Sequence, residues 1–162
     1  MSALTGQVRA IGGMGNPSRK PYLVQVIVDL AVAATESGGT LVATDTIQCI
    51  TVPDETVILA AGCEVFVTPT GGNSFTMDLG VTGGVVDNFV DGFAVTSSTK
   101  GDYAPFDVAM SPVMIQSEDT LDILCIGTTM DTVGKLRVWA RLQDVSDLGD
   151  RAADEVDRDQ LA

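Results

Sequence analysis

Histidine is missing from all 162 residues. Its absence removes the Ser-His and Cys-His nucleophile pairs, the commonest acid–base side chain, and the imidazole ligands that most catalytic zinc sites use. Cations are scarce as well: nine Lys and Arg face 22 Asp and Glu, for a net charge of −13. Surfaces that grip phosphate depend on Lys and Arg, so this balance argues against nucleic acid as a partner. No apolar run approaches the roughly 18 residues that would span a membrane. The opening MSALTGQVRA also lacks the charged and then apolar stretches of a secretory signal. A soluble protein that is neither membrane-inserted nor exported is expected. Cys49, Cys63 and Cys125 are odd in number, far apart and set in apolar runs. They are expected as reduced, buried thiols rather than as a disulfide framework or metal site. No cofactor is implied, and catalysis is not expected.

What is present is apolar patterning of period two. The apolar content is 45%, and a chain of this length buries roughly 70% of its unfolded surface as one domain. YLVQVIVDL, from Tyr22 to Leu30, is β-branched and nearly all apolar, which suits a strand buried on both faces or the first strand of a sandwich. Residues Ala31 to Ser37 are alanine-rich and fit either a short helix or more strand. Beyond the ESGGT turn, Ile47 and Cys49 alternate with Thr46 and Gln48, then Cys63, Val65 and Val67 share a face, then Phe75, Met77 and Leu79 alternate with Ser74, Thr76 and Asp78. Pro53-Asp54 and Thr70-Gly71-Gly72-Asn73 supply turns between them. AVTSSTKGDYAPFDVAMSP reads as a long loop. Leu121, Ile123 and Cys125 then oppose Asp122, and in KLRVWARLQDV Leu136, Val138, Ala140 and Leu142 alternate with Lys135, Arg137, Trp139 and Arg141. Seven or eight strands at roughly 8–15-residue intervals, with little helix, predict an all-β antiparallel sandwich or jelly roll, with a closed barrel as the rival.

The flanks differ from this centre. Residues 1–21 hold Gly6, Gly12, Gly13, Gly15, Pro17 and Pro21, which predicts an extended arm, and its charges are Arg9, Arg19 and Lys20 with no acid. Residues 144–162 carry seven acids and two arginines. The division expected is an arm over 1–21, a β-sandwich domain over 22–145, and an acidic tail over 146–162 that is mobile or helical only when bound.

SFTMDLGVTGGVVDNFVDGF, residues 74–93, has the look of a site. A dinucleotide loop requires G-x-G-x-x-G between strand and helix, and Gly80, Gly83 and Gly84 have the wrong spacing. A calcium loop places oxygen ligands at alternating positions before a glycine. Asp87, Asp91 and Gly92 fit that plan, but Phe89 takes the middle ligand position and Ser98 the closing one. Asp78, Asp87 and Asp91 form a pool for paired-carboxylate chemistry, yet no base, nucleophile or aromatic platform accompanies them. The stretch is expected to be a structural connection between strands, with Phe89, Val90 and Phe93 as its anchors.

Taken in order, TIQCITVPDETVILAAGCEVFVT, SFTMDLGVTGGVVDNFVDGF, the GDYAP loop and KLRVWARLQDV resemble the small head decoration, cement or head-associated structural proteins of tailed bacteriophages, cyanophages in particular. The likeness covers roughly residues 1–145 and leaves out the acidic tail. It implies a virion protein, made in the host cytoplasm, that binds the outer surface of the capsid through the major capsid protein, often as a homotrimer, and strengthens the shell. The partner-contact residues expected are Arg9, Arg19 and Lys20, facing acidic capsid surface, and Trp139. An indole between two arginines is either an anchor of an oligomer interface or, where intramolecular packing covers it, core. The competing reading is a carbohydrate- or receptor-binding β-module of a fibre or head spike, which one Trp and two Tyr serve poorly.

Overall fold

A computed structural model describes residues 20–72, 74–81, 83–105, 110–127 and 133–145. The alternating segments form eight strands and one helix: β1 (Tyr22–Asp29), α1 (Leu30–Glu36), β2 (Thr46–Val52), β3 (Thr56–Thr70), β4 (Thr76–Val81), β5 (Val90–Ala94), β6 (Val113–Ile115), β7 (Asp119–Ile126) and β8 (Val133–Asp144). They pair, all antiparallel, as β1 with β8, β2 with β7, β3 with β6 and β4 with β5. This is one long hairpin wrapped over itself. Lateral pairing of β8 with β3 and of β7 with β4 completes two four-stranded sheets, ordered β1-β8-β3-β6 and β2-β7-β4-β5. That order is a jelly roll. The strands fall into two separate sheets, so the barrel alternative is set aside.

The core lies between the sheets. Leu136, Val138, Ala140 and Leu142 of β8 are fully buried, as are Ile58, Ala61 and Val65 of β3, Leu121 and Ile123 of β7, and Met77 and Leu79 of β4. Cys49, Cys63 and Cys125 are free thiols within this core. Burial pushes the Cys63 and Cys125 thiols up to about 12 and raises Cys49 well above its ordinary value, with Asp122 adding to the effect at Cys49. A protonated thiol is a poor nucleophile and a poor metal ligand.

Several local expectations change. β1 is an edge strand with one face outward: Val24 and Val28 are buried while Leu23 and Ile27 are 65% and 47% exposed. It is the first strand of a sandwich, not one covered on both sides. The alanine-rich segment is helix, because the Asp29 carboxylate accepts from the Ala31 N–H at 3.0 Å and caps it. Val67 leaves the face of Cys63 and Val65 and is exposed, since a register shift between Val65 and Val67 turns the chain over. β3 then runs through Pro69 to Thr70 before Gly71, at φ 96°, makes the turn. In the long connection before β6, residues 102–104 lie along β3, where Val65 donates to Asp102, Ala104 donates to Cys63, and Tyr103 bridges to Glu64.

The glycine-rich stretch is a strap. β4 enters it and β5 leaves it, and between them the backbone of Val85 and Val86 lies directly on Gly80, where any Cβ would overlap it. Phe89 donates to the Leu79 carbonyl at 3.0 Å, and Phe89, Val90 and Phe93 are buried as expected of anchors.

Candidate interface face

Because β8 is central in its sheet and alternates strictly, the side opposite the core carries Lys135, Arg137, Trp139 and Arg141 in a single row. The register sets their neighbours. Arg141 lies between Leu23 and Ala60, Trp139 between Gln25 and Gly62, Arg137 between Ile27 and Glu64, and Lys135 between Asp29 and Val67. The outer face of this first sheet therefore mixes exposed aliphatic side chains from β1 with cations from β8.

Trp139 is half-buried and outside the inter-sheet core. Its ring covers Gly62 so closely that a Cβ there would stand 2.8 Å from Cζ2. The indole is thus seated on the sheet by a missing side chain, with part of its surface left outward. Arg137 donates to Glu64 Oε2 at 3.1 Å, and its guanidinium stands 4.8 Å from the centre of the Phe66 ring. Lys135 pairs with Asp29 at 2.9 Å, and this hydrogen bond is the main reason the Asp29 carboxyl is held below its ordinary value. Arg141 is exposed and forms no ion pair among the described residues. Lys20 is exposed two residues before β1. Arg9 and Arg19 lie outside the described residues.

The two outer faces differ in kind. On the second sheet the strap backbone lies over Gly80, whose register partner is Asp122, and Asp78 and Asp122, two register positions apart across β4 and β7, are 6% and 4% exposed. Asp78 Oδ1 accepts the Gly92 N–H at 2.8 Å. Burial raises the Asp78 pKa, the Gly92 hydrogen bond opposes that, and Asp91 and Asp87 push it further up. The carboxylates flagged as a pool therefore divide: Asp78 ties β4 to β5 at the base of the strap, Asp87 is half-buried and Asp91 is exposed. Among the described residues no group of three His, Cys, Asp or Glu side chains could hold a metal ion.

Leu23 and Ile27 were hidden from sequence reasoning inside an apolar run that suited two-sided burial. The available signal was Pro21, immediately before the strand, which is common at sheet edges. Of the residues expected at a partner contact, the fold sets Trp139 in a row with Arg137 and Arg141 and leaves Lys20 exposed before β1.

No protein-family model matches the sequence, and no curated protein matches it. Solved structures do. A chain of the cyanophage Pam1 capsid asymmetric unit superposes with a TM-score of 0.56 at 14% identity, covering 84% of this chain and 92% of that one. A chain of the capsid of Ralstonia phage GP4 gives 0.54 at 14% identity, covering 86% and 90%. At such identity the likeness is one of fold.

Proposed function

We propose that this chain is a non-enzymatic virion structural protein that binds the outer surface of a tailed-phage capsid and stabilises the shell. The observation that carries the reading is the fold likeness, over most of both chains, to structures described as phage capsids. The physical case is mass action. A thin shell under outward pressure from packaged genome gains stability from any ligand that binds the mature lattice and not its dissociated parts, summed over many sites. Nothing in that role needs a nucleophile or a base.

In this reading the major capsid protein is the partner, and the arm over 1–21 lays its backbone on a neighbour while Arg9, Arg19 and Lys20 meet acidic surface. Trp139 and the aliphatic residues around it serve contacts between copies, a trimer being the favoured assembly. The carbohydrate-binding alternative loses ground, because sugar platforms want several exposed aromatics near polar partners. Here Tyr103 is 63% exposed on a loop beside β3 and Trp139 is half-buried on Gly62.

Co-sedimentation with capsids lacking the protein tests the proposal, using the full chain and one beginning at Pro21. Full-chain binding that disappears with the arm is the expected result. Retained binding moves the contact to the sandwich, and no binding by either form overturns the reading.

A further inference from the structure

The strap has a surface that its structural task leaves unused. What seats it on β4 is backbone: Val85 and Val86 lie on Gly80, Gly84 donates to the Val81 carbonyl at 3.0 Å, and Phe89 donates to that of Leu79. Asn88 Nδ2 donates to the Ser111 carbonyl at 2.9 Å, two residues before β6, and so ties the strap to the edge of the first sheet opposite β1. The side chains of Val85 and Val86 are not needed for any of this, and they are 58% and 40% exposed. Two neighbouring β-branched side chains are thus held outward on a fixed backbone, an arrangement that loses little entropy when a partner covers it.

Acids accompany this pair. Asp87 follows it directly and Asp91 is exposed nearby, both close enough to Asp78 to push its pKa up. The described cations all belong to the first sheet: Lys20 precedes β1, the Lys100 N–H donates to Thr68 of β3, and Lys135, Arg137 and Arg141 form the outward row of β8. The strap is therefore apolar and acidic. The β1–β8 half of the first sheet's outer face is apolar and basic, with exposed Leu23 opposite Arg141 and exposed Ile27 opposite Arg137. In a ring of three copies every contact is heterologous, so a patch on one copy meets a different patch on the next. The Trp139 face, read above as a contact between copies, is then not its own complement, and its row of cations would repel an identical row. It requires a surface elsewhere on the chain that is apolar, opposite in charge and clear of itself. The strap meets all three conditions, standing at the β6 edge while Leu23 and Ile27 stand on β1.

We propose that Val85 and Val86 of one copy seat on Leu23 and Ile27 of a second copy, with Asp91 directed at that copy's Arg141. The inference rests on the trimer reading and names the surface that completes it. The strap then has two roles: its backbone closes the second sheet over Gly80, and its outward side chains join one subunit to the next.

Sedimentation velocity of the full chain over a concentration series, with no capsid present, tests this, and the parent is expected to trimerise. Val85→Ser combined with Val86→Ser leaves the backbone on Gly80 in place and should weaken assembly roughly tenfold. Arg141→Glu and Asp91→Arg should each weaken it, and the two together should recover much of the loss. A mixture reads the head-to-tail arrangement directly. A chain carrying Leu23→Ser and Arg141→Glu retains a sound strap, and the Val85→Ser, Val86→Ser chain retains a sound face. At a concentration where neither associates alone, the mixture should form a one-to-one dimer that cannot close. Thermal unfolding of each variant checks that the sandwich is intact. A parent trimer untouched by the strap substitutions overturns the strap's role and leaves the trimer reading standing. A parent that is monomeric or dimeric at every concentration overturns both.

Discussion

Asp78 shows how one residue can hold a connection in place and still tax it. Its carboxylate accepts the Gly92 N–H and so fastens β4 to β5 at the base of the strap, but burial and the nearby Asp91 and Asp87 raise its pKa. The folded state therefore binds this proton more readily than the unfolded chain does. Below the ordinary carboxyl value of 3.8 both states are protonated and the group is neutral toward stability. As pH rises from there through the raised folded value, stability is lost, and at neutral pH the full cost of a buried charge is present. Asp78→Asn keeps an oxygen for Gly92 and removes the charge. It is expected to raise the thermal midpoint at neutral pH and to lose that advantage as the pH approaches about 4. A variant less stable than the parent at neutral pH would show that the charge itself strengthens the strap.

Among the elements, β1 and α1 share a single hinge. Asp29 ends the strand, caps the helix through Ala31 and pairs with Lys135 on β8. Asp29→Ala should cost about 1 kcal/mol in urea unfolding at neutral pH, and Asp29→Asn, which retains a capping oxygen, should cost less. The Asp29 pKa is lowered, chiefly by the hydrogen bond from Lys135. Its stabilising effect is thus complete above the ordinary carboxyl range and fades as pH falls through the depressed value. Equal losses in both variants would locate the effect in the ion pair alone. Much at this scale was legible in the sequence. β8 was readable because every second residue is apolar, and Phe89 and Phe93 were readable as anchors within a glycine-rich connection. The fate of Val67 was not, because a bulge depends on how two strands twist against each other. The covering of Gly80 escaped for the same reason: a glycine in a strand signals close approach, but the approaching backbone is named only by the fold. Nor could local pattern supply the pairing of β1 with β8, which joins segments more than a hundred residues apart.

The molecule as a whole carries one thiol in the first sheet and two in the second: Cys63 on β3, Cys49 on β2 and Cys125 on β7. All three are buried, and burial raises their pKa values. Without denaturant a thiol-reactive dye should leave them untouched, and in a urea series all three should become reactive together at the midpoint seen by circular dichroism. Early labelling of Cys49 and Cys125 with Cys63 still protected would mean that the second sheet opens separately. The wrapped hairpin has one more outcome, which concerns where a guest sequence belongs. Tyr22 lies opposite Leu142, and Asp144 lies opposite Thr56, so both flanks of the fold emerge at one corner of the sandwich. A cargo joined through either flank would crowd that corner. The Gly71 turn follows Thr70, which pairs with Val133 at the opposite end of β8, about 35–40 Å away along the strand. A peptide inserted at Gly71 would point away from both flanks, making that turn the natural position for a displayed sequence.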